Sequence, residues 1–289
     1  MPLENPPRPD ASFDAGFDAT VDAEMDAPID AGPALVGTLV ARSDTYDDLA
    51  SGVSQSAYTA KATFLEAPGC VREPAGPCTL FRCGDPGTPS GVPNAGTVII
   101  VADGSPATLL PDAASGLYPI ASGAAPFWSA PDTTITYQAF GAEVPMFMGT
   151  LLAPQPATFA LPDPTAGPLA VSLSGFSFIW TGGAADEVLA RLVQNPADPA
   201  VDPTLTLECT FPFGDGSATI PAEALVAFTA GATGRAALSV QNTGEASGVD
   251  PWVISLRARS IGHIVPGRDA NVDGIPDALE ARGAIAFAP

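Results

Sequence analysis

Thr204-Leu205-Thr206-Leu207-Glu208-Cys209-Thr210-Phe211 alternates without a break. Leu205, Leu207, Cys209 and Phe211 fall on one side, and Thr206, Glu208 and Thr210 on the other. Successive side chains of a strand point to opposite faces, so the stretch predicts a strand with one buried and one wet face. Strand-like segments recur over residues 62–65, 78–83, 97–102, 133–140, 169–173, 176–180, 236–241 and 252–257, and several of them alternate cleanly. Turn clusters such as Asp85-Pro86-Gly87, Pro93-Asn94-Ala95-Gly96 and Phe213-Gly214-Asp215-Gly216 separate these stretches. Residues 221–228 begin with proline and carry Ala, Glu and Leu, which suits a short helix. Residues 184–194 mix the two signals: Val188, Ala190 and Leu192 alternate, and strands flank them, which favours a strand.

Many strands at short spacing with little helix predict an all-β protein of sandwich type. A proline-rich seam, Leu161-Pro162-Asp163-Pro164 followed by Gly167-Pro168, divides the strand-bearing region. Two closely packed β-sandwich-like units are therefore expected, residues 34–162 and 163–266. One composite sandwich drawing strands from both halves is the alternative.

Composition agrees. The 289 residues are enough for one large or two ordinary domains. Pro (32) and Gly (29) are abundant while charged residues are only 15%, which disfavours bundles and coiled coils. Lys and Arg number 11 against 32 Asp and Glu, a net charge of −21. Such a chain is not expected to seek nucleic acid or an anionic membrane. No apolar run approaches the roughly 20 residues that span a bilayer. Met1-Pro2-Leu3-Glu4-Asn5-Pro6 does not read as a signal peptide. The cysteines nonetheless favour an extracytoplasmic protein, at the cell surface or secreted, whose signal was trimmed or lost to a misplaced start codon.

Residues 10–33 repeat DASF, DAGF, DATV, DAEM, DAPI, DAGP, with aspartate at every fourth position from Asp10 to Asp30. A helix would stack these like charges, and Gly16, Pro28 and Gly32 interrupt it. Residues 1–33 are thus expected to be a disordered acidic linker. The repeat resembles the Asp-Ala linkers that follow the lipidated cysteine in surface lipoproteins of high-GC Gram-negative bacteria. No cysteine stands at that place in this sequence.

Near the C-terminus, Asp269, Asn271, Asp273, Asp277 and Glu280 occupy positions 1, 3, 5, 9 and 12 of a loop with Gly274 at position 6. Calcium takes six to eight hard oxygen ligands, and this is the ligand spacing of an EF-hand-type loop. The Ile275 carbonyl would add a ligand, Asp277 would bind directly or through water, and Glu280 would close the site with both oxygens. Pro276 at position 8 has no N–H for the bridge that joins paired EF-hands, and Pro266-Gly267 admit no entering helix. The exit can be helical. The loop therefore resembles the single calcium loops of bacterial thrombospondin type 3-like and dockerin-like segments. Residues 267–289 are expected to form a calcium-binding loop and short helix, with Ca2+ as the cofactor. An acidic surface turn is the plain alternative.

Cys70, Cys78, Cys83 and Cys209 contain no Cys-x-x-Cys, and His263 is the sole histidine, so zinc is not indicated. An even count in an extracytoplasmic chain suggests two disulfides. If Cys83 shares the core face with Phe81, the pairing is Cys83–Cys209 and Cys70–Cys78. No nucleophile elbow, Walker loop, dinucleotide fingerprint or zincin motif appears. The expected function is that of a non-catalytic surface or secreted protein whose partner is a protein or a glycan. A carbohydrate-binding or adhesive module, with Trp128 as a stacking platform, is the first alternative. A glycosidase-type secreted hydrolase using a carboxylate pair is the second. Trp180 and Trp252 are expected to fill the core.

Overall fold

The computed structural model describes residues 35–48, 53–64, 70–84, 92–160, 169–195, 204–247, 249–261, 263–264 and 284–289. The first nine strands are β1 (Val36–Asp48), β2 (Val53–Thr63), β3 (Cys70–Ala75), β4 (Cys78–Cys83), β5 (Val98–Ala102), β6 (Ser105–Leu109), β7 (Ala121–Gly123), β8 (Thr134–Ala139) and β9 (Phe147–Leu152). Then come β10 (Thr158–Ala160), β11 (Leu169–Ser172), β12 (Gly175–Thr181), β13 (Glu187–Gln194), β14 (Thr204–Pro212) and β15 (Ser217–Pro221). A short helix α1 (Ala222–Leu225) precedes β16 (Thr233–Glu245), β17 (Val253–Ile261), β18 (His263–Ile264) and β19 (Ala284–Ala288). The fold is all-β, of sandwich type. The stretch 184–194 is a strand, and the helix expected over 221–228 shortens to one turn.

An eleven-stranded sheet runs in the order β3-β4-β14-β13-β16-β17-β1-β2-β7, with β19 joining β16 to β11. Its middle is antiparallel except where β1 lies parallel to β17, Val36 facing Val253. Beneath that pairing the core closes directly over Gly37: a Cβ there would stand 2.6 Å from Ile254 Cδ1 and 2.8 Å from Phe64 Cδ1, so those side chains would have to shift. Among the described residues there are also two four-stranded sheets, β15-β12-β10-β18 and β6-β5-β8-β9.

Both small sheets cover the same face of the long one, and each seals its own core. Under β1, β2 and β17 lie Leu39, Ala60, Leu256, Ile100, Ile135 and Tyr137. Under β13, β14 and β16 lie Leu192, Leu207, Phe159, Phe178, Trp180 and Phe287. Each fully buried large apolar side chain contributes about 1.5–3 kcal/mol of transfer free energy. The Tyr137 hydroxyl, buried with its ring, donates to the Arg257 carbonyl at 2.9 Å and ties β8 to β17.

The disulfides correct the expected pairing: Cys70 bonds Cys83, and Cys78 bonds Cys209. The reason is strand parity. The core face of β4 carries Cys78 and Leu80, so Thr79, Phe81 and Cys83 turn the other way. Phe81, read in the sequence as a core residue, instead lies under the Arg72 guanidinium, 5.9 Å from its ring centroid. Register then decides the bonds, since Cys78 stands opposite Cys209 and Cys70 opposite Cys83.

Candidate functional site

The long sheet is curled. Seven inter-strand steps separate β3 from β2 in its order, about 34 Å if the sheet were flat. Yet β2 ends at Thr63 and β3 begins at Cys70, and seven residues reach at most about 25 Å. The ends of the path must therefore approach one another, and they do. Thr63 and Cys70 line one groove of about 380 Å³ together with Thr38, Val40, Lys61, Arg72, Phe81, Ser255 and Arg257. These side chains belong to the face opposite the two cores, which is thus the concave one.

That face has a charge unlike the rest of the chain. Register places Arg42, Lys61, Arg72, Arg191, Arg235, Arg257 and Arg259 on it. These are seven of the 11 cations in the sequence. The carboxylates beside them, among the described side chains, are Asp44, Glu187, Glu208 and Glu245. Among the described side chains, then, seven cations stand against four carboxylates on this face, within a chain whose total is −21.

The floor of the trough is organised by hydrogen bonds. Arg259 Nε donates to Gln241 Oε1 at 2.9 Å, and Gln241 Nε2 donates to Glu187 Oε2 at 2.8 Å. Burial, and secondarily the like charge of Arg257, pulls the Arg259 guanidinium down to about 10. It remains charged at neutral pH. Arg42 Nε pairs with Asp44 at 2.8 Å, while Arg42 Nη2 is buried and makes no hydrogen bond among the described residues. Gln241, Leu189 and Thr206 on this face are as buried as core residues, which fits the curl. A second hollow of about 280 Å³ adjoins the first through Ser255 and Arg257 and brings in Glu187 and Glu245.

The residues singled out from the sequence fare differently. Asp269, Asn271, Asp273, Ile275, Asp277 and Glu280 lie outside the described residues, as does the acidic repeat of residues 1–33. Among the described residues, no three or more His, Cys, Asp or Glu side chains are gathered so as to hold a metal ion. Trp128 is buried beside Phe127, whose ring stacks on Tyr58 at 4.9 Å, so it offers no open platform to a sugar. Trp180 and Trp252 are core residues, as expected. The backbone of His263 continues the smaller sheet beside Thr158. The groove itself was missed. Its one local signal is Leu256-Arg257-Ala258-Arg259, where two cations share the wet face of a strand.

No family model and no curated protein matches the chain. Among solved structures, the FN1-FN3 domains of chicken CNTN1 are similar at 11% identity, over 71% of this chain and 76% of that one, with a TM-score of 0.20. Among the described residues no helix is long and apolar enough to cross a membrane.

Proposed function

We propose that the chain is a non-catalytic binding module that works outside the cytoplasm, at the cell surface or secreted, and carries one calcium ion in the loop 269–280. The observation that carries this reading is the disulfide Cys78–Cys209. It lies within the buried core and links positions 131 residues apart. Cytosolic thiols are kept reduced, so a cross-link built into a core belongs to an oxidising compartment. The groove suits ligand binding, since its polar groups stand on paired strands that fix donors in place. The calcium assignment is supported by ligand spacing, with Asp269, Asn271, Asp273, the Ile275 carbonyl, Asp277 and Glu280 as the ligands.

Three measurements test the reading. Non-reducing peptide mapping of protein from an oxidising compartment should recover both disulfides, and four free thiols would refute the compartment. Calorimetric titration should show one calcium site that weakens sharply in Glu280→Ala, and absence of calcium heat would remove the metal. Turnover in a panel of esterase, glycosidase and peptidase substrates, abolished by a single acidic or serine substitution, would overturn the non-catalytic assignment.

A further inference from the structure

We infer that the concave groove between β1, β2, β17 and the β3-β4 hairpin is a binding site for an acidic carbohydrate, a sugar or sugar chain bearing carboxylates. The first ground is electrostatic. A chain of net charge −21 gathers most of its cations on one face, and three of them, Lys61, Arg72 and Arg257, line one groove. Like charges brought together cost free energy, modestly at the exposed Lys61 and Arg72 and more at the half-buried Arg257. The fold does not need this arrangement, since both cores lie on the other face. An anionic ligand offsets the cost.

The second ground is the distribution of charge. Lys61 and Arg257 flank Val40 from the two neighbouring strands, two strand spacings or about 10 Å apart at the backbone. Arg72 stands on the hairpin side of the same groove. A phosphate wants donors converging on one point, whereas charges spread along a groove suit several carboxylates carried on an extended frame. Thr38, Thr63 and Ser255 between them present hydroxyls, which donate and accept as sugar hydroxyls do. The volume of about 380 Å³ lies within the range of small-ligand sites. Arg42 Nη2, buried on the same face, is a further donor that has no hydrogen bond among the described residues.

The test is a calorimetric titration of the full chain with tetragalacturonate at low salt. Calcium is held at the same concentration in cell and syringe, so the loop stays loaded, and the comparison with the double variant removes any contribution from calcium-bridged polymer. The tetramer should bind, and the Lys61→Gln, Arg257→Gln double variant should bind it at least about tenfold more weakly, the loss of about one charge-assisted hydrogen bond. Arg82→Gln, off this face, should leave binding unchanged. Monomeric galacturonate binding more weakly than the tetramer identifies a polymer as the ligand, and equal binding identifies the free sugar acid. Either supports the inference. It is overturned if the tetramer does not bind, or if the double variant, folded by circular dichroism, binds as well as the parent. Equal binding of a neutral tetrasaccharide, polyglutamate or inorganic phosphate also overturns it. Should the double variant not fold, the exposed Lys61→Gln alone decides, with loss expected and unchanged affinity counting against.

Discussion

The two faces of the long sheet are made by the same strands yet obey different rules. Strand β17 gives Ile254, Leu256 and Ala258 to a core, and Ser255, Arg257 and Arg259 to the trough. Strand β13 gives Val188, Ala190 and Leu192 to the other core, and Glu187 and Arg191 to the trough. Period-two geometry alone makes this sorting possible. The buried core and the charged trough are thus separated by parity, not by position along the chain. Each face even has its own disulfide. Cys78–Cys209 points into a core, and Cys70–Cys83 lies on the concave side, where Cys70 lines the groove.

That pair of bonds gives the largest test. In the chain-entropy account, the 131-residue separation of Cys78–Cys209 is worth about 5 kcal/mol and the 13-residue separation of Cys70–Cys83 about 3 kcal/mol. Replacing Cys78 and Cys209 by Ala should therefore lower the denaturant midpoint more than replacing Cys70 and Cys83. The reverse order, measured by urea unfolding, would make the concave face the structural one. A core truncation is the next test. Phe178→Ala empties a fully buried site among Phe159, Trp180 and Phe211 and should cost about 3–5 kcal/mol. A cost below about 1 kcal/mol would mean that this aromatic core is not close-packed.

Tyr137 sharpens the comparison because it reaches from a core to the backbone of a groove residue. Tyr137→Phe removes the hydrogen bond to the Arg257 carbonyl and should cost about 1 kcal/mol at neutral pH. Burial pushes the Tyr137 hydroxyl well above its usual value of 10.0. Above pH 10 the unfolded chain releases this proton and the folded chain holds it. The unfolded state then binds fewer protons, so stability falls as pH rises. Parent and variant melts compared between pH 7 and 11 should converge, because only the parent carries this loss. Parallel curves would show that Tyr137 titrates normally.

Much of the architecture was legible because alternation is local. The stretches 78–83, 97–102 and 204–211 all become strands, and their buried partners are those that hydropathy marks in β5 and β14. Strand β1 was hidden by its own composition. Its core face carries Gly37 and Ser43 while Val36 and Val40 face the groove, so the hydropathy contrast is blurred. Ser43 is tolerated inside because its Oγ accepts from the Phe127 amide at 2.9 Å. Phe81 misled for the opposite reason, since an apolar residue took the wet face under a cation. The groove was out of reach altogether. Its cations lie at positions 61, 72 and 257, and only strand register and the curl between Thr63 and Cys70 bring them together.

The smallest effect is also the most discriminating. Lys61 sits exposed on the concave face, across Val40 from Arg257, with like charge on either side of one strand. If that face is kept for a ligand, removing one cation relieves repulsion without disturbing either core. Lys61→Met should then leave stability unchanged or raise it by up to about 0.5 kcal/mol at low salt. The gain should shrink as salt screens the remaining charges. A residue kept for recognition commonly carries such a cost in stability. Urea unfolding at two salt concentrations measures it. A loss above about 1 kcal/mol that salt does not alter would instead make Lys61 part of the framework, and the separation of the two faces by parity would fail at its clearest position.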